Sequence, residues 1–341
     1  MNLPELFSKS YHMTTLNALN AESTKKLFSF DFIKVLLRGS GQVMFQNNSW
    51  TGLFFLIGIF WGAYEEGFGV VAWAALVGLA TSTLTGYILG LPKKEGEDGL
   101  WGFNGILVGC AFMTFLEPTL WTWLALILCS ALTTWVRVAF NNVMGIWKVS
   151  SFTFPFVAMS WLFLMASREM NAMPDTFLPS PHLPTGINEE ISLTIPHLTE
   201  YWLKGISQVF LINSWVTGIF FLIGLFISNK WAGIWAALAS AVSLLVIILF
   251  RGPGTEIENG IFGFSAVLTG IAIGATFYEV NYRSALWGLI AVIVTVFVQA
   301  AMNIIFIPLG LPTLTGPFCI ATWLFMLPGF VFHKEKEKTT E

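Results

Sequence analysis

Thr153 and Thr315 each stand two residues before a proline, in Thr153-Phe154-Pro155-Phe156 and Thr315-Gly316-Pro317-Phe318, inside long apolar stretches. A proline lacks the N–H that would continue a helix but suits its first turn, and threonine just ahead of it is a common N-cap. Each motif is therefore expected to mark a helix broken or restarted at membrane depth, with hydroxyls and freed carbonyls exposed, although a plain proline kink packed by its neighbours gives the same string. Irregular backbone at that depth is tolerated where it is buried in protein or lines a water-filled cavity. Gln42 and Gln208 precede the first apolar run of each half, and Gln46, Asn47 and Asn48 follow the first of them. Such amides either hold membrane helices together or line a pore, and both readings stay open. Neutral hydroxyls and amides of this kind can hydrogen-bond an uncharged solute. They do not by themselves make a catalytic site.

Groups that could carry covalent, acid–base or metal chemistry are confined to other places. His12, His182, His197 and His333 fall in polar terminal or linking segments. Glu65 and Glu66 lie in a turn between apolar runs, Asp98 and Glu117 near their ends, and Glu256 and Glu258 in a Gly/Pro-rich loop, where solvated charge is the default. A proton-coupled carrier normally keeps an intramembrane carboxylate or histidine as its relay. Its absence here favours a passive conduit. Cys110, Cys129 and Cys319 sit in apolar stretches without a CxxC, which fits buried reduced thiols and supports neither a disulfide framework nor a zinc site. An enzyme is not expected, and no cofactor or metal is implied.

The elements that must position these residues are membrane helices. Of the 341 residues 55% are hydrophobic and 11% charged, against roughly 25% charged in a soluble domain, and the mean hydropathy is +0.71. Seventeen Lys and Arg against twenty Asp and Glu leave a net charge of −3, which excludes a basic nucleic-acid footprint. Uncharged stretches at 39–64, 67–92, 99–116, 118–136 and 149–167 each approach or exceed the ~18 residues that a spanning helix needs. A second set runs at 205–229, 231–250, 259–278 and 284–333, the last being long enough for two spans. The organisation expected is a cytoplasmic arm (1–37), a first five-helix unit (38–167), a Pro-rich extracytoplasmic linker (168–204), a second unit (205–333) and a cytoplasmic tail (334–341). With both termini in the cytoplasm, fourteen of the seventeen Lys and Arg lie inside, all except Arg168, Lys204 and Arg251.

The two units repeat one another. Gln42-Val43 and Thr51-Gly52-Leu53-Phe54-Phe55-Leu56-Ile57-Gly58 recur 166 residues on as Gln208-Val209 and Thr217-Gly218-Ile219-Phe220-Phe221-Leu222-Ile223-Gly224. Gly102-Phe103, Leu107 and Gly109 recur at an offset of 161 as Gly263-Phe264, Leu268 and Gly270, and the Thr-x-Pro-Phe strings recur at 162. Five spans being odd, the second unit enters the membrane from the opposite side, an inverted repeat with its site near the midplane. Phe103 with Leu107, and Phe264 with Leu268, share one helical face by their spacing of four. A slot between flat apolar groups would admit a planar molecule and exclude hydrated ions, although any one of 32 phenylalanines is more commonly core- or lipid-facing.

These residues resemble the urea transporters of bacteria and animals. The family motif LPxxTxPF stands intact as Leu311-Pro312-Thr313-Leu314-Thr315-Gly316-Pro317-Phe318, whereas in the first half Val149-Ser150 replace Leu-Pro. Gln-Val-Met-Phe-Gln-Asn-Asn at 42–48 and Gly-Phe-Asn-Gly at 102–105 are also similar to the family, and the resemblance extends over 38–333. It implies an all-α polytopic membrane protein of ten spans with two re-entrant half-helices, a homotrimer with one pore per protomer in the plasma (bacterial inner) membrane, and passive, channel-like urea flux. It further implies Gln42 and Gln208 as oxygen acceptors, Thr153 and Thr315 at the constriction, and Phe45, Phe103, Leu107, Phe264 and Leu268 as slot walls. Aligned on Gln208, the counterpart of Phe45 is Leu211, with Phe210 one residue away, so either can form the second slot, and Val209 and Leu211 complete the candidate set. The alternative function is transport of another small neutral solute (water, ammonia or an amide) or proton-coupled transport, which uphill uptake would reveal.

Overall fold

The computed structural model describes residues 30–184 and 191–331. Most of the expected N-terminal arm, the expected C-terminal tail, His12 and His333 lie outside the described residues. The described chain is helical, and its one β feature is an isolated bridge between Leu116 and Asp175. In the first half the helices are α1 (Phe30–Gln42), α2 (Ser49–Glu65), α3 (Val70–Ile88), α4 (Lys93–Glu97), α5 (Phe103–Phe115), α6 (Leu120–Met144) and α7 (Phe154–Ser167). In the second they are α8 (Ile195–Ser207), α9 (Trp215–Ser228), α10 (Lys230–Leu249), α11 (Gly254–Glu258), α12 (Gly263–Ile271), α13 (Tyr282–Phe306) and α14 (Gly316–Met326). A π-helical turn, Ala272–Thr276, extends α12 to a length matching α5.

Local sequence explains the helix starts. Asn48 accepts from the backbone N–H groups of Trp50 and Thr51, Ser214 from that of Thr217, and Asn229 from that of Trp231. Asn281 and Ser284 form a reciprocal capping box at α13. Four helices, taken with the turns that continue two of them, are long and apolar enough to cross a membrane: Val70–Ile88, Leu120–Trp147, Lys230–Leu249 and Tyr282–Leu309. A fifth is added if α8 and α9, bent by 72° at their junction, count as one span. The chain is thus an all-α, polytopic membrane protein.

Several uncharged stretches are not single helices. The run 39–64 breaks between Gln42 and Ser49, where Phe45 has φ +64°, and 205–229 breaks in the same way at Leu211, φ +58°. Both positions lie in the left-handed region, which a continuing right-handed helix cannot pass through. α1 starts at Phe30 and α8 at Ile195, ahead of the boundaries read at 38 and 205. In the opposite direction, α6 runs through Arg137, where the uncharged run ended. Arg137 is 6% exposed, and its guanidinium donates from Nη1 and Nη2 to Glu95 Oε2, both at 3.0 Å. That pairing lets the charge sit inside the helix.

Close helix packing rests on small residues. A Cβ on Gly78 of α3 would lie 2.0 Å from the carbonyl oxygen of Gly105 on α5, and one on Gly109 would lie 2.1 Å from that of Ala74. Backbones this close are a common means of helix association in lipid.

The halves touch reciprocally. Thr51 Oγ1 donates to the carbonyl of Gly224 and Thr217 Oγ1 to that of Gly58, each at 2.7 Å. Trp161 Nε1 donates to the carbonyl of Pro312 and Trp323 Nε1 to that of Ser150, each at 2.9 Å. Thr217 and Gly224 follow Thr51 and Gly58 by 166 residues, and Trp323 and Pro312 follow Trp161 and Ser150 by 162. In each pair of bonds, donor and acceptor exchange halves. Because Thr51 meets Gly224 and Thr217 meets Gly58, α2 and α9 run antiparallel.

Candidate functional site

The two Thr-x-Pro motifs meet. Thr153 and Thr315 occupy the N-cap positions of α7 and α14, with Pro155 and Pro317 in the first turns. Their hydroxyls nevertheless make no capping bond: Thr153 Oγ1 lies 2.6 Å from Thr315 Oγ1, and either can be the donor. The N-cap role expected for the hydroxyls is therefore corrected. With backbone ψ near +9° and +18° rather than extended, neither side chain is set to reach back to its own helix, and the free hydroxyls bond across the halves. Each threonine is only 2% exposed, and Cys319 Sγ lies 3.5 Å from Thr153 Oγ1. The N-termini of two helices, with their partial positive charge, converge here.

α7 receives a cap from elsewhere. Asn104 Oδ1 on α5 accepts from the backbone N–H of Phe156 at 3.1 Å. Sequence reasoning missed this residue, although Gly-Phe-Asn-Gly was noted as a string. Its counterpart in the second half is Ser265, whose buried hydroxyl has no hydrogen-bond partner among the described residues.

The amide pair is placed with equal regularity. Gln42, the last residue of α1, donates from Nε2 to the carbonyl of Asp98 at 2.8 Å, and Gln208, just after α8, donates from Nε2 to that of Asn259 at 2.9 Å. A carbonyl only accepts, so nitrogen must face it and Oε1 must face away. Both glutamines are partly buried.

The expected slot walls divide by burial. Phe103 and Phe264, each 8% exposed, open α5 and α12, while Leu107 and Leu268 one turn on are fully buried with Val209. Phe45 stands edge-on to Phe152, Phe277 and Phe318, with ring centroids 6.3, 5.5 and 6.0 Å apart. The equivalent left-handed position in the second half is Leu211, partly buried like Phe45. Phe210 is instead packed in the core against Phe55 and Phe221. The counterparts of Phe152 and Phe277 are Leu314 and Leu116, whereas that of Phe318 is Phe156, so two of the three rings around Phe45 are replaced by leucine in the other half.

No group of three or more His, Cys, Asp or Glu able to hold a metal exists among the described residues. A polar cavity of about 260 Å³, lined by Ser167, Arg168, Asn171, Pro174 and Asp175, lies at the far end of α7 from the threonine pair.

Residues 33–329 match the family described as urea transporter. The chain belongs to the urea transporter family. It is 30% identical over 311 residues to urea transporter 1 of Ovis aries, covering 88% of this chain and 77% of that protein. It is 29% identical over 309 residues to urea transporter 1 of Mus musculus, covering 87% and 77%. The urea transporter match takes in α2 to α14 whole and all but the first turn of α1, and so the threonine pair, both glutamines and every expected slot residue. The family is one of transporters, not enzymes.

Proposed function

We propose that this protein is a passive, channel-like path for urea, with Thr153 and Thr315 at its constriction. The observation that carries the reading is the buried contact between these two hydroxyls, made by equivalent residues of the two halves in a member of the urea transporter family. Urea is planar and neutral, with four N–H donors and one carbonyl acceptor. Threonine oxygens at the centre and the Oε1 atoms of Gln42 and Gln208 on either side replace water around its N–H groups. Phe45, Phe103 and Leu107 on one side, and Val209, Leu211, Phe264 and Leu268 on the other, hold its plane. Entering urea exchanges the threonine–threonine bond for two bonds to itself, which keeps the cost of opening low. Converging helix N-termini and apolar walls disfavour cations, so selectivity needs no bound ion or cofactor.

The architecture we propose is ten spans arranged as two inverted five-helix repeats, read at 38–167 and 205–333 and extended back to Phe30 and Ile195 by α1 and α8, each with a re-entrant half-helix. Six helices of nine or more residues in each half, reciprocal bonds between the halves and antiparallel α2 and α9 support it. Exposed Trp50, Trp61, Trp121, Trp135, Trp147 and Trp215 suit contact with a lipid bilayer, several of them at helix ends where interfacial aromatics gather. The arm ahead of α1 and residues 334–341 are cytoplasmic, and the linker from 168 to the start of α8 is extracytoplasmic, on the Lys/Arg asymmetry. The protein sits in the plasma (bacterial inner) membrane as a homotrimer with one pore per protomer, as the family resemblance implies.

Urea flux into proteoliposomes, measured with and without an imposed pH gradient, tests the function. Downhill flux indifferent to the gradient is expected. Uphill accumulation driven by it would replace this reading with proton-coupled transport.

A further inference from the structure

The environment of the two glutamines recurs in more detail than a pore wall requires. Asn47 Nδ2 donates to Asp98 Oδ1 at 2.8 Å, on the same residue whose carbonyl accepts from Gln42. Asn213 Nδ2 donates to Asn259 Oδ1 at 2.9 Å, again on the residue whose carbonyl accepts from the glutamine. Asn47 and Asn213 are related by the offset 166, as the glutamines are, and Asp98 and Asn259 by 161. Each acceptor residue is followed by a glycine in the left-handed region, Gly99 at φ +80° and Gly260 at φ +69°. A Cβ on either would lie 2.4 Å from a backbone nitrogen, that of Gly39 or Gly205. The loop is thus pressed against the helix that carries the glutamine, which sets its carbonyl opposite Nε2.

The chemistry of this arrangement bears on the glutamine oxygen. A primary amide exposes a donor on one edge and an acceptor on the other, and a half-turn about its last bond exchanges them. Urea entering N–H first needs the acceptor edge. With Nε2 held on a backbone carbonyl, only Oε1 faces the other way. The side-chain bridge from Asn47 or Asn213 holds the loop that supplies the carbonyl. Asp98 and Asn259 do the same work with different charge, so what recurs is an acceptor oxygen and not an anion.

We propose that Asn47 with Asp98, and Asn213 with Asn259, are positioning residues that lock the amides of Gln42 and Gln208 with oxygen toward the permeating urea. The proposal rests on the reading of these glutamines as pore residues. It assigns a role in urea recognition to four side chains that reach urea only through another residue.

The test is a double-mutant cycle on urea permeability per reconstituted, monodisperse protein, read together with the ratio of urea to acetamide permeability. Acetamide has half the N–H donors of urea, so a misplaced acceptor lowers the ratio, whereas a merely damaged fold lowers both fluxes alike. Asp98→Ala is expected to lower urea permeability and the ratio about 2- to 10-fold, the weight of one hydrogen bond. Asp98→Asn, which keeps the acceptor, is expected to restore both. In a Gln42→Leu background Asp98→Ala should add nothing, because its effect passes through the amide. Should Asp98→Ala fail to fold, Asn47→Ala at its exposed position carries the same expectations. An equal loss in both backgrounds, or an unchanged ratio in Asp98→Ala, overturns the positioning role while leaving the pore intact. If Gln42→Leu itself leaves urea permeability unchanged, the pore reading of the glutamine falls, and the positioning role with it.

Discussion

At the scale of single residues, the threonine pair shows what spacing reveals and what it hides. The Thr-x-Pro strings mark where two helices start, because proline dictates that locally. Their meeting, 162 residues apart in sequence and 2.6 Å apart in space, is not written in either string. The same holds for Asn104, whose capping bond reaches a helix 52 residues on. Each Nε2 of Gln42 and Gln208 donates to a backbone carbonyl, and the carbonyls that engage them lie in loops without a motif. The threonine contact predicts a pattern in stability. Thr153→Val or Thr315→Val leaves one buried hydroxyl without its partner, at a cost of about 1–3 kcal/mol. Replacing both removes the orphan, so the double variant should melt no lower than the worse single one in detergent. Strictly additive losses would show that the two hydroxyls do not act as a pair.

At the scale of elements, hydropathy found the apolar runs but not their breaks. The left-handed residues Phe45 and Leu211 are apolar and the interruptions at 43–48 and 208–214 carry no charge, so a search for uncharged runs passes over them, although Asn48 and Ser214 mark the helix starts that follow. Arg137 misled in the other direction: a charge closed the expected span, yet its partner Glu95, 42 residues away, lets α6 continue. Repetition was the more informative signal, since Leu211 rather than Phe210 takes the backbone position of Phe45, as the 166-residue offset requires. The turn after α2 yields a pH prediction. Glu66 is exposed, yet partial desolvation by its neighbours pushes its carboxyl above the ordinary value of 4.5 and Glu65 adds to this, against a backbone hydrogen bond from Asn213 and the charge of Lys204. A raised pKa means that the folded state binds this proton more tightly than the unfolded one. Its stabilising contribution is therefore full below pH 4.5 and declines as pH rises through the folded value. Glu66→Gln should raise the melting temperature at pH 8 and leave it nearly unchanged at pH 4. A lower melting temperature at pH 8 would mean that the carboxylate is net stabilising there.

At the scale of the whole molecule, membrane residence, helical class and family were legible in composition and motif. The Lys/Arg asymmetry gives the proposed orientation a direct check. Cys110, Cys129 and Cys319 are all buried, so they form a quiet background for labelling. Cysteines introduced as Phe177→Cys and Leu183→Cys, at exposed positions of the linker, should react with an impermeant thiol reagent on intact cells. Protection there with labelling only after lysis would invert the topology. Reciprocal contacts between the halves bring the two threonines together, and the functional account turns on that point. If their hydroxyls replace water around urea, valine keeps the shape and removes one acceptor. The missing bond, worth about 1–3 kcal/mol in a dry site, slows crossing roughly 5- to 150-fold where that point limits flux. The decisive measurement is urea flux per correctly assembled protein in proteoliposomes for Thr153→Val and Thr315→Val beside the unaltered chain. A loss of that size in either variant is the predicted result, and unaltered flux in both would place the path of urea elsewhere.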